Sequence, residues 1–113
     1  MEQSILKTIR RLLGPNATYD HFDHDLITHI NSEFNILDQL GIGPEDGFFI
    51  TDDTATWDEY LQDQKTLKAV QQYIYLKVRK VFDPPANSFL VDAIDKEIKE
   101  LEWRLEVMAS GNS

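Results

Sequence analysis

Apolar residues recur along this chain at the spacing of helix faces, and polar, Gly and Pro residues divide the pattern into segments. From Gln3 to Leu13, Ile5, Leu6, Ile9, Leu12 and Leu13 share one side, and Gly14-Pro15-Asn16 stops the run, which predicts a short amphipathic helix. A second helix is expected to begin near Asp20, a capping residue with Asp23 three positions on. It carries Phe22, Leu26, Ile27, Ile30, Phe34, Leu37 and Leu40, and Gly41 ends it. Lys65 to Phe82 reads as a central helix with Leu67, Val70, Tyr73, Ile74, Val78 and Val81 turned inward. Asp83-Pro84-Pro85 stops it, because proline has no amide hydrogen to donate. Asn87 or Ser88 caps the last helix, whose Leu90, Ile94, Ile98, Leu101, Leu105 and Met108 fall mostly at spacings of four and three. On its polar side Asp92, Asp95 and Glu100 each precede a base by four residues (Lys96, Lys99 and Arg104), an orientation that favours pairing.

The stretch from Gly41 to Thr56 is long for so small a domain and contains Gly41, Gly43, Pro44 and Gly47 before the apolar trio Phe48-Phe49-Ile50. A short strand from Phe48 to Thr51 is one reading of the trio, and a hydrophobic anchor folding the loop onto the helices is the favoured one. Thr56 then caps a short helix with Trp57, Tyr60 and Leu61. The expected fold is an all-α compact bundle of four to five helices, with a long loop between the second and third. Residues 1–108 form a single domain and 109–113 a small, polar, flexible tail.

Composition narrows the class of function. Twelve aromatic residues supply a core despite a net charge of −9, which argues against disorder. There is no cysteine, so disulfides, thiolate metal sites and a cysteine nucleophile are excluded together. No apolar run is long enough to span a bilayer, and the first residues lack the apolar core of a signal peptide, so the chain is expected in the cytoplasm when made. The distribution of charge says more than its sum. Residues 13–64 contain no Lys or Arg but twelve acids, whereas Lys65, Lys68, Lys77, Arg79 and Lys80 follow with no acid among them. Such a chain is electrically two-sided and is not built to read a phosphate backbone.

Candidate catalytic chemistry is sparse. His21, His24 and His29 lie among Asp20, Asp23 and Asp25, yet the spacing matches no metal-ligand pattern, and a solvated helix start is the plainer reading. Glu97-Ile98-Lys99-Glu100 supplies half of the paired acidic motifs with which all-helical nucleotide pyrophosphohydrolases hold magnesium, but no second half appears on another helix. Asp52-Asp53-Thr54 with Asp58 and Glu59 lacks the central glycine of a calcium loop. No nucleophile elbow, phosphate-binding glycine loop or catalytic triad order is present. No cofactor, metal or enzymatic activity is therefore expected. Trp57 and Trp103 are candidates for contact, Trp57 leaning to the core or a loop anchor and Trp103, on the less apolar side of the last helix, open equally to the core and to a partner.

Several stretches together carry a resemblance. They are His29-Ile30-Asn31 with Phe34, Gln39 to Pro44, Gly47-Phe48, Ala55 to Asp58 with Leu61, Tyr73 to Val78, Phe82 to Pro85, Ser88-Phe89, and Ile98 to Leu105. In these the chain resembles the head-tail connector (adaptor, or DNA-packaging) proteins of tailed bacteriophages, especially phages and prophages of Gram-positive bacteria. The resemblance implies a structural virion protein at the head-tail interface, present in the host cytoplasm during assembly. Copies would form a ring of about a dozen subunits joining the portal protein to a stopper, head-completion or tail protein. DNA would pass non-specifically through the bore, and no membrane is involved. On that picture Trp103, Arg104 and Met108 are expected to meet the portal or another partner, and Lys65, Lys68, Lys77, Arg79 and Lys80 to lie between subunits. Asp46, Phe48, Phe49, Asp52 and Asp53 are placed in the loop or bore. The alternatives are the pyrophosphohydrolase and a small acidic DNA mimic that binds basic proteins.

Overall fold

The computed structural model describes residues 3–14 and 23–111, which form five helices and no strand. The expected breaker residues Pro15 and Asn16, the Asp20 cap, His21, Phe22, and Asn112 and Ser113 of the tail lie outside the described residues. Helix α1 spans Ile5–Leu13, with the Ser4 hydroxyl accepting from the Lys7 amide as its cap. Helix α2 spans Asp23–Gln39, α3 Trp57–Tyr60, α4 Gln64–Phe82 and α5 Ser88–Gly111. Ala109, expected in the tail, is half-buried on α5 and packs against the core.

Each terminus has a local chemical cause. At the end of α2 the Ile42 amide donates to the Leu37 carbonyl and the Gly41 amide to that of Asp38, while Gly41 adopts φ 93°. This is a Schellman closure, and the Leu37 and Ile42 side chains that such a closure brings together are both buried. Asp63 caps α4 through the Lys65 amide, and its other oxygen accepts from the Thr66 hydroxyl. The Asn87 side chain accepts from the Leu90 amide at the start of α5.

Helix α4 is central and packs against α1, α2 and α5. Its Val70, Tyr73, Ile74 and Val78 are fully covered, as are Ile5 and Ile9 of α1, Ile30 and Leu37 of α2 and Leu105 of α5. Three residues expected inward are not: Leu12, Val81 and Leu90 sit near helix ends, where no facing element covers them. Leu76, absent from the periodic list, is buried instead, because α4 is flanked on several sides and its apolar face is correspondingly wide.

The long loop is anchored and not a strand. Ile50 is buried, and its backbone amide and carbonyl bind the Asn31 side chain at 2.7 and 2.8 Å, which replaces the pairing a neighbouring strand would give. Phe48 packs edge-on against Phe34 and Tyr60, while Phe49 points out, 71% exposed. Beyond the loop, the Ile5 amide donates to the Ala55 carbonyl and the Trp57 amide to that of Gln3, tying α1 to α3. The Trp57 indole N–H donates to the Thr8 hydroxyl, which donates to the Ser4 carbonyl, so this deep ring has no unmet polar atom.

Candidate interaction surfaces

Large apolar side chains left outside the core mark where a small protein is prepared for contact. On α5, Ile94, Ile98, Leu101 and Leu105 are buried, whereas Phe89, Trp103 and Val107 are 79%, 65% and 46% exposed. Phe89 and Trp103 are two heptads apart and Val107 is one turn beyond Trp103, so all three project away from the core. Arg104, next to Trp103, pairs with Glu100 one turn back. Met108 is half-buried and packs on the core. Trp57, by contrast, is 2% exposed and belongs to the interior.

The five cations of α4 divide into groups. Lys77 lies 3.6 Å from Glu33 of α2, and Lys80 is paired with Asp95 of α5. Arg79 donates from Nε to the Asp83 carbonyl at the end of its own helix. Lys65 and Lys68 are exposed and make no ion pair among the described residues. The Lys80 pairing also alters the expected surface of α5. Asp95 reaches across to α4 in place of Lys99, since a base on the facing helix is within reach, and of the three expected pairs on α5 the Glu100 to Arg104 pair forms.

A groove of about 500 Å³ opens between α2, α4 and α5, lined by Glu33, Lys77, Lys80, Asp95, Lys99 and Glu102 with Val81 and Ile98. Burial raises the Glu33 carboxyl above its ordinary range; Lys77 and His29 oppose the rise and Glu102 adds to it. The Tyr73 hydroxyl donates to Glu102 at 2.8 Å, and burial together with that carboxylate pushes the phenol upward. These groups link three helices through charge and hydrogen bonds.

A second hollow, about 350 Å³, lies where α1, α3 and α4 meet. Its floor includes Trp57 and Leu67, and its rim carries Arg11, Lys68, Asp58, Gln64 and Gln71. Arg11 and Lys68 are both exposed and have no ion-pair partner among the described residues. The periodicity of the sequence gives no sign of this hollow, which exists because three elements converge without filling their junction.

The loop residues separate in the same way. Phe48 is an anchor in the core, and Asp53 lies 3.9 Å from Lys7. Asp52 accepts from the amide and hydroxyl of Thr54, hydrogen bonds that hold its carboxyl below the usual range. Asp46 and Phe49 face outward. His24 is exposed and His29 stacks edge-on against Phe82 at 5.3 Å. Among the described residues no three His, Asp or Glu side chains converge to hold a metal ion. Glu97 accepts from Gln72, and among the described residues no helix is long and apolar enough to cross a membrane.

The bundle is closed by local caps and leaves aromatic and cationic side chains exposed on its surface. The model of the phage connector protein family matches residues 5–112, and the chain belongs to that family. No curated protein and no solved structure gives a significant match. Membership makes the chain a structural component of a phage particle, in a connecting role that brings it against other head or tail proteins.

Proposed function

We propose that this chain is the ring-forming adaptor of the head-tail junction. Copies close into a ring of about a dozen, which joins the portal at the capsid vertex to a stopper or tail-side protein and leaves a bore for DNA. The protein performs no chemistry and assembles in the host cytoplasm. The family match over nearly the whole chain carries the reading. The surfaces support it: exposed Trp103 and its neighbours on α5 make that helix a docking element, and Lys65 and Lys68, without an ion pair among the described residues, offer charge to an acidic neighbour. Exposed Glu45, Asp46, Asp52 and Asp53 on the loop give a bore lining that repels phosphate.

The test is the mass of the protein in solution, alone and mixed with portal protein, by sedimentation. A closed multimer, or a monomer that assembles on the portal, is the expected result. A protein that stays monomeric and ignores the portal overturns the reading.

A further inference from the structure

We infer that Trp103 of one copy docks into the hollow between α1, α3 and α4 of a second copy, with its indole held between Arg11 and Lys68. The inference rests on the ring reading and specifies the contact that propagates it.

Three observations meet in it. Trp103 is 65% exposed on the outward side of α5, flanked along the same side by Phe89 and Val107. The hollow of about 350 Å³ has room for an indole, over an apolar floor of Trp57 and Leu67. Its rim supplies what an indole needs: two cations, Arg11 and Lys68, with no ion-pair partner among the described residues for the ring face, and the Asp58 carboxylate as an acceptor for the ring N–H. The surroundings are complementary in charge as well. The end of α5 beyond Trp103 bears the exposed Glu106, whereas Arg11 and Lys68 stand on the rim of the hollow.

The two surfaces belong to different elements, so one copy cannot satisfy itself with the same patch it offers. Within a ring such a contact is heterologous: knob to hollow, repeated from copy to copy, and closing when the rotation permits. Trp103 on this account faces the neighbouring subunit, and the portal is left to other surfaces.

The test uses two variants of the full chain, each altered only at exposed positions. Trp103→Ala removes the knob, and Arg11→Glu with Lys68→Glu spoils the hollow. Circular dichroism and thermal midpoints close to those of the parent establish that both fold. Each variant alone is expected to self-associate at least about tenfold more weakly than the parent, as loss of an interface hot spot requires. Mixed, they retain one intact knob and one intact hollow, so sedimentation should show a one-to-one complex that grows no further. Assembly of Trp103→Ala indistinguishable from the parent overturns this contact while leaving the ring reading in place. Absence of any self-association by the parent at high concentration also overturns it. Whether the parent then binds portal protein decides the adaptor reading separately.

Discussion

Asn31 presents one donor and one acceptor to the backbone of a single residue, Ile50, and thereby fixes where the connection between α2 and α3 crosses α2. Replacing it with Ala strands two partly buried backbone groups, so Asn31→Ala should lose about 1–3 kcal/mol in urea denaturation. Tyr60 is the converse. Its buried hydroxyl has no hydrogen-bond partner among the described residues, and burial, with Asp38 adding to the effect, raises its pKa. Tyr60→Phe removes a polar atom that costs energy where it is, and should stabilise the fold by about 1 kcal/mol. The two tryptophans give a matched contrast. Trp57→Ala should cost about 3–5 kcal/mol, as expected of a covered ring. Trp103→Ala should change monomer stability by less than about 0.5 kcal/mol, because its ring is largely in water already.

At the scale of elements, the turn from α2 into the loop depends on glycine twice. Gly41 and Gly43 both have positive φ, but a Cβ on Gly43 would stand 2.7 Å from the Tyr60 ring, against 3.3 Å from Ala109 for Gly41. Gly43→Ala should therefore lower the thermal midpoint more than Gly41→Ala does, since both incur the backbone strain and Gly43 also displaces a packed ring. The junction of α2 with α4 should be sensitive to pH. The folded state holds the Glu33 proton more tightly than the unfolded chain, because burial disfavours its charge more than Lys77 and His29 restore it. The residue thus favours folding fully below the unfolded value near 4.5, and that contribution is lost as pH rises through the raised folded value. Denaturation series from about pH 4 to pH 7 should show this slope in the parent, and Glu33→Gln should flatten it.

For the whole molecule, the exposed acids of the loop and the cations of α1 and α4 that have no ion-pair partner among the described residues leave surfaces of both signs open on one small body. Self-association driven by such faces weakens as ions screen them. Raising salt from about 50 mM to about 500 mM should shift the sedimentation profile toward the monomer, and no shift would mean that apolar contact alone holds the copies together.

The helices, their order and most of their buried residues were legible in the sequence, because helix periodicity, prolines and caps are local properties. The loop anchor was legible too, since three apolar residues in a glycine-rich stretch need cover. Family membership could be read from motifs spread over the chain, and the match over residues 5–112 shows it. Side-chain partnership was not legible. The sequence offers Asp95 a base at Lys99, and the fold supplies Lys80; it offers five equivalent cations on α4, and the fold leaves Lys65 and Lys68 without an ion pair among the described residues. It marks Val81 for the core, and the fold leaves it in water. The hollow beside Trp57 belongs to no segment. Spacing along a chain determines which residues share a face, but what that face meets depends on how the helices cross, and only tertiary packing sets that.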